Sequence, residues 1–197
     1  GVDEVGMGCL AGPVVVCAVS CTAAFYSRAH TQLRAVRDSK LLSAKQRETY
    51  ATVLRATPGL QYALAFCYPK TIDRINIYQA ARQAMRRAVS KLKNNSPLIV
   101  LVDGPTKIPK LPHPQMAIVK GDCRVFTIAC ASIIAKVYRD RMMLNYAKHY
   151  PAYGFEAHKG YGTALHLSRL AKYGTSPLHR QSFAPVAALR AISRDKT

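Results

Sequence analysis

Gly1-Val2-Asp3-Glu4-Val5-Gly6 opens the chain. After the turn Gly6-Met7-Gly8-Cys9-Leu10-Ala11-Gly12-Pro13 it continues as Val14-Val15-Val16-Cys17-Ala18-Val19. The second run is rich in β-branched residues and reads as a buried strand; the first is a shorter one. Glycines and a proline between them favour an antiparallel hairpin. This stretch starts a sheet and places two adjacent carboxylates, Asp3 and Glu4, in its first strand.

Working outward, residues 43–56 have a helical pattern with Ser43 as N-cap, and Tyr62 to Cys67 reads as a third strand. After Asn76 the period changes. Ile77, Ala80, Ala81, Ala84, Met85, Ala88 and Leu92 share one helical face, while Arg82, Arg86, Arg87 and Lys91 share the other. Leu98-Ile99-Val100-Leu101-Val102 is an apolar strand ending at Asp103-Gly104. Met116-Ala117-Ile118-Val119 is another, ending at Lys120-Gly121-Asp122. Strand, helix, strand implies parallel pairing through a crossover. Phe126 to Tyr146 reads as one long helix, with shorter ones at 163–172 and near 186–193. The expected fold is α/β, with residues 1–150 as the core and 151–197 as a helical C-terminal extension packed against it.

The chain has 197 residues, of which 49 % are hydrophobic, enough for a sizeable core. Lys and Arg number 29 against 10 Asp and Glu, a formal charge of +19. So positive a field favours a polyanionic partner. Nucleic acid leads, through counterion release, with a membrane surface or a ribosomal setting as alternatives. The six cysteines form no C-x-x-C pair, which argues against a zinc site. Cys17, Cys67 and Cys130 lie in apolar runs, as expected in a reducing, cytoplasmic setting. No run is long and apolar enough for a transmembrane span, no signal peptide is visible, and a monomer with no membrane partner is expected.

The acids are few and their placement is informative. Asp3 and Glu4 lie in the first strand, Asp103 ends the strand 98–102, and Asp122 follows the strand 116–119. Carboxylates converging from one sheet oppose each other's ionisation. A hard divalent cation removes that conflict, and oxygen ligands suit Mg²⁺ or Mn²⁺. Two such ions about 4 Å apart activate water and stabilise the leaving oxygen in phosphodiester cleavage. The plainer alternative is a polar strand edge at Asp3 and Glu4, with Asp103 and Asp122 beginning turns.

Several segments together resemble bacterial ribonuclease HII. They are Asp3-Glu4-Val5-Gly6-Met7-Gly8, Leu10-Ala11-Gly12-Pro13-Val14-Val15, Asp38-Ser39-Lys40, Val102-Asp103-Gly104 and Lys120-Gly121-Asp122. Ala131-Ser132 through Lys136 to Asp140, Tyr153-Gly154-Phe155, His158-Lys159-Gly160-Tyr161-Gly162-Thr163, His179-Arg180 and Ser182-Phe183 complete the set. They occur in family order and span nearly the whole chain. The resemblance implies a ribonuclease H-like mixed five-stranded sheet, three strands antiparallel and two parallel, flanked by helices. It implies cleavage of the RNA strand of RNA–DNA hybrids and nicking of duplex DNA 5′ of embedded ribonucleotides. It implies two metal ions on Asp3, Glu4, Asp103 and Asp122, with Asp140 a further family acid that is either accessory or structural. Gly6, Met7 and Gly8 fall in the family's turn that senses the 2′-OH at the cleavage junction. Tyr161 matches a tyrosine that stacks on the next, deoxy sugar; surface packing is its plain alternative. Ser39, Lys40, Ser132, Lys136, His158, Lys159 and Arg180 fall in phosphate-contact segments.

Departures are specific. Met7 stands where the family turn has arginine, so the phosphate contact of a guanidinium is absent there. Cys9, Leu41 and Cys130 also differ from the usual residues. Two other readings follow: a nucleic-acid binder on the same fold with catalysis weakened at Met7, and a DNA-cutting relative, because fold does not fix function. A sliding clamp is a conceivable partner, but the ending Ala191-Ile192-Ser193-Arg194-Asp195-Lys196-Thr197 carries no clear clamp-binding motif.

Overall fold

The computed structural model describes residues 1–32, 42–93 and 99–194, with side chains of 28–32 and 190–194 excepted. Expectations for Ser39, Lys40 and the last three residues lie outside the described residues.

The elements are β1 (Val2–Val5), β2 (Val14–Cys21), α1 (Ala23–Gln32), α2 (Ala44–Ala56), β3 (Leu60–Cys67), α3 (Pro69–Ile75) and α4 (Ile77–Ser90). They continue with β4 (Val100–Asp103), β5 (Gln115–Ile118), α5 (Gly121–Arg124), α6 (Phe126–His149), α7 (Phe155–His158), α8 (Ala164–Tyr173) and α9 (Ala184–Arg194). The sheet order is β3-β2-β1-β4-β5. β1 runs antiparallel to β2, pairing Asp3 with Cys17, and parallel to β4, pairing Val2 with Val102. β4 and β5 are parallel, with Asp103 opposite Ile118. The mixed sheet with three antiparallel and two parallel strands is therefore present.

Local chemistry explains the elements. β2 buries its first six residues without alternation, as expected for a strand covered on both faces. Val14, Val15 and Val16 are fully buried, each contributing roughly 1.5–3 kcal/mol. Ser43 caps α2 with a reciprocal box: its hydroxyl accepts the Gln46 N–H at 3.3 Å, and the Gln46 side chain accepts the Ser43 N–H at 2.8 Å. The expected face of α4 is the buried one at Ala80, Ala81, Ala84, Met85 and Ala88. Phe126, Ile128, Ala129, Cys130, Ala131, Ile133, Ile134 and Ala135 are all buried, so the N-terminal half of α6 is a core helix.

Contacts divide the described residues into two compact units. One contains those of Gly1–Val5, Val15–Ala65 and Arg82–Val137; the other contains those of Gly6–Val14, Phe66–Ala81 and Tyr138–Thr197. The second unit has its own core, in which Leu10, Ala11, Met143, Phe155, Leu170 and Val186 are buried together.

Candidate active site

The first unit gathers four of the expected acids. Asp3 and Glu4 lie on β1, Asp103 ends the neighbouring β4, and Asp122 lies in α5, just beyond β5. Asp3 is 6 % and Asp122 3 % exposed. Lys120 adopts a left-handed conformation, φ 55°, that starts α5 at Gly121. The amides of Gly121 and Asp122 then donate to Asp103 Oδ1 at 2.6 and 3.4 Å, which fixes that carboxylate at the strand end. Asp3 Oδ1 accepts the Glu4 N–H at 2.7 Å, and the Ser132 hydroxyl on α6 also bonds Asp3.

These acids are under electrostatic tension. Burial, then repulsion from Glu4 and Asp103, raises the Asp3 carboxyl well above the usual carboxylate range; the Ser132 bond offsets part of this. Burial and the Asp103 charge push Glu4 up to about 7. Glu4 Oε2 is buried and has no hydrogen-bond partner, an unfavourable state for a carboxylate oxygen. A divalent cation satisfies that oxygen and lowers the repulsion, so the donor set fits a hard metal ion. Among the described residues, no three carboxylate, imidazole or thiolate groups already close on one point. Mg²⁺ does not require such a cage, since it retains several waters and takes one or two carboxylates together with substrate phosphates.

The second unit holds the Gly6-Met7-Gly8 turn with two buried arginines. Arg180 donates from Nε to the Gly12 carbonyl at 3.1 Å, from Nη1 to Met7 at 2.8 Å and from Nη2 to Gly6 at 2.6 Å. Arg139 donates from Nε to Pro13 at 3.0 Å, from Nη1 to Lys159 at 2.8 Å and from Nη2 to Ala11 at 3.0 Å. Both residues are 0 % exposed. Gly6 is required twice over: its φ is 93°, and a Cβ there would run into the Arg139 guanidinium. In a trans peptide, N–H and C=O point in opposite directions. With the Gly6 and Met7 carbonyls turned toward Arg180, the Met7 and Gly8 N–H groups face away from it.

The loop after α7 carries Tyr161, 40 % exposed, with the Arg139 guanidinium 5.8 Å from its ring centroid. Gly160 accepts the Leu10 and Ala11 amides at 2.8 and 3.3 Å, and Tyr161 pairs with Cys9 in a β-bridge. The Gly6–Pro13 turn and this loop are therefore built as one hydrogen-bonded piece.

A family model for ribonuclease HII matches residues 1–186. The chain belongs to the ribonuclease HII family. A ribonuclease HII of Chlorobium phaeobacteroides is 47 % identical over 183 residues, covering 93 % of this chain and 88 % of its own. One from Rhodospirillum rubrum is 50 % identical over 187 residues, covering 94 % and 84 %. The crystal structure of a ribonuclease H2 from Pyrococcus horikoshii superposes with a TM-score of 0.85 at 25 % identity, over 98 % of this chain and 97 % of that one. Ribonuclease HII is a metal-dependent endoribonuclease acting on RNA–DNA hybrids, and membership makes this chain a hydrolase of that kind.

The Glu4 and Asp103 charges act on Asp3, the Asp103 charge acts on Glu4, the Asp122 amide bonds Asp103, and Ser132 bonds Asp3. Asp140 sits half-buried on α6 in the second unit, within electrostatic reach of Tyr161. Lys136 is half-buried on α6 in the first unit, and Lys159 caps α7 with φ 51° while its ammonium bonds the Glu156 carbonyl. Arg180 and His158 differ from the phosphate contacts expected of them. Both are buried; the Arg180 nitrogens are spent on carbonyls, and both His158 ring nitrogens are bonded to backbone. Arg139 and His179 lie in family-like segments without a role read for them, and His166 lies outside those segments. Their polarity assigns them to the surface by default, and only hydrogen-bond partners supplied by the folded chain reverse that. Among the described residues, no helix is long and apolar enough to cross a membrane.

Proposed function

We propose that this ribonuclease HII also nicks duplex DNA on the 5′ side of a single embedded ribonucleotide, hydrolysing the phosphodiester at a two-metal site on Asp3, Glu4, Asp103 and Asp122. The observation that carries this reading is the buried, partnerless Glu4 Oε2, which feels the Asp103 charge, in a chain whose charge is +19. Mg²⁺ or Mn²⁺ bound there supplies Lewis acidity, activating water and stabilising the leaving oxygen.

The chain's own residues do the rest. Asp103 is held at the strand end by the Gly121 and Asp122 amides, so its free oxygen has a fixed direction. Ser132 and the Glu4 amide orient Asp3 in the same way. The Met7 and Gly8 N–H groups, turned away from Arg180, are donors suited to a ribose 2′-OH, the group that distinguishes RNA from DNA. Tyr161 offers a half-exposed ring for the neighbouring deoxyribose. None of the six cysteines forms a disulfide, which supports work in the reducing cytoplasm.

Asp103→Asn tests the reading. The variant retains shape but loses a metal-ligating charge, so it binds hybrid duplex normally and fails to cut it. Wild-type cleavage by the variant would remove Asp103 from the metal site.

A further inference from the structure

The second unit buries three imidazoles for which the reaction described above has no use. His158 is 7 %, His166 0 % and His179 1 % exposed. His158 and His166 stack with centroids 4.2 Å apart, and Phe155 packs its ring against all three.

Backbone partners fix each proton. An amide N–H only donates, so the Gly160 N–H at 3.1 Å makes His158 Nδ1 an acceptor; Nε2 carries the proton and donates to the Tyr153 carbonyl at 2.9 Å. The Ser176 N–H at 2.9 Å likewise makes His179 Nδ1 an acceptor. His179 Nε2 then carries the proton and donates to His166 Nε2 at 3.1 Å. That leaves the proton of His166 on Nδ1, where it donates to the Tyr161 carbonyl at 2.9 Å. Donation therefore runs one way, from the Ser176 amide through His179 and His166 to the main chain of Tyr161. Reversing it would set a ring N–H against the Ser176 N–H.

The cluster is built to stay neutral. Burial holds both His166 and His179 near 4; His158 lowers His166 further, and His166 and His158 lower His179. The charged groups facing it are Glu156 and Lys159 beside His158, and the Tyr153 ring packs against His179. What the cluster holds is the loop itself: the Gly160 amide through His158 and the Tyr161 carbonyl through His166. Gly160 has φ 87°, and a Cβ there would meet the Ala11 carbonyl, so the loop has little freedom to shift.

We propose that His166 and His179 are positioning residues for Tyr161: their one-way hydrogen-bond relay fixes the backbone from which its ring projects, and with it the enzyme's preference for a ribose–deoxyribose junction over an all-RNA strand. This rests on the reading of Tyr161 as the residue that meets the deoxy sugar.

Two substitutions with opposite virtues test it. His166→Phe keeps the ring's packing and loses the donor; His166→Asn loses the ring and keeps an N–H where Nδ1 stood. Cleavage rates on a single-ribonucleotide duplex and on an RNA–DNA hybrid are compared, with Tyr161→Ala as reference. The relay predicts that Tyr161→Ala and H166F both lose junction preference, H166F by about five- to tenfold, while H166N retains it and both His166 variants keep the wild-type hybrid kcat. H166F retaining the preference that Tyr161→Ala loses overturns the relay. Tyr161→Ala retaining it overturns the reading of Tyr161 itself, and the proposal with it. Long-range ¹H–¹⁵N spectra of the wild-type protein give an arm independent of any variant. They must find the proton on His166 Nδ1 and His179 Nε2, and the opposite tautomers would overturn the relay whatever the kinetics show.

Discussion

Replacing Arg180 with lysine keeps a positive charge in the second unit but removes the planar fork that holds the Gly6–Gly12 turn. The wild-type guanidinium spends three nitrogens on three carbonyls, at 2.6, 2.8 and 3.1 Å, with no exposed surface. Its charge is not free of penalty: burial and then Arg139 lower its pKa to about 10. That depression corresponds to roughly 3 kcal/mol against the charged form, which the three hydrogen bonds outweigh. A compact ammonium reaches one carbonyl well and leaves about two under-satisfied, at roughly 1–3 kcal/mol each. Lysine retains the desolvation penalty, so nothing is recovered on that side. The expected loss is about 2–4 kcal/mol, or a fall in Tm of roughly 5–15 °C for a chain of this length. Urea unfolding followed by circular dichroism measures it, with hybrid cleavage kinetics alongside. Because the acids lie in the first unit and are untouched, KM for hybrid rises while kcat is nearly unchanged. A variant within about 0.5 kcal/mol of wild type, with an unaltered KM, would refute the claim that Arg180 holds the turn.

Three further outcomes follow from the same geometry. Glu4 is held up to about 7 by burial and Asp103, so metal-free stability falls as pH rises from the usual carboxylate range through 7. Glu4→Gln removes that conflict. It raises metal-free stability by about 2 kcal/mol at pH 8 and abolishes cleavage, and thermal melts in chelator that show a loss instead contradict the buried-charge argument. His166 and His179 have folded pKa values near 4 against 6.5 unfolded, so the folded state binds fewer protons and their contribution is complete above 6.5 and lost as pH falls toward 4. In saturating Mg²⁺, urea stability at pH 5 should therefore lie a few kcal/mol below that at pH 7, at most about 3 kcal/mol per ring; equal stability at both would mean the rings are not held neutral. Met7→Arg adds a cation at the turn, so hybrid binding tightens and its salt dependence steepens by about 0.7–0.9 in log–log slope. An unchanged slope between low and moderate salt would show that position 7 is remote from phosphate.

Much of the sheet was legible because its signals are local. The valine run of β2, the capping box at Ser43 and the apolar stripe of α4 each express a preference that tertiary contacts reinforce. The placement of the acids on or beside strands was legible for a similar reason: at strand ends, sequence position nearly determines spatial position. Elements without such signals were missed. α1 begins without an acidic first turn, α3 starts on Pro69 directly after a strand, and α5 and α7 are single turns too short for periodicity. The strand expected at 98–102 lies at Val100–Asp103, so Asp103 belongs to the strand and is positioned by it. The supporting role of the arginines and histidines was invisible because what makes them buried is distant in sequence: Arg180 meets carbonyls 168–174 residues away. Asp73 likewise spends its carboxylate on the Gln181 and Ser182 amides, a structural use that its sequence context does not announce.

We propose that the four carboxylates hold the metal ions that cut DNA at a single ribonucleotide. The most direct measurement maps the cleavage of a DNA duplex containing a single ribonucleotide, with Mg²⁺, with Mn²⁺ and with chelator. The expected result is one nick, on the 5′ side of the ribonucleotide, in either metal and none in chelator. No nick in either metal, or equal cutting of an all-DNA duplex, would contradict it.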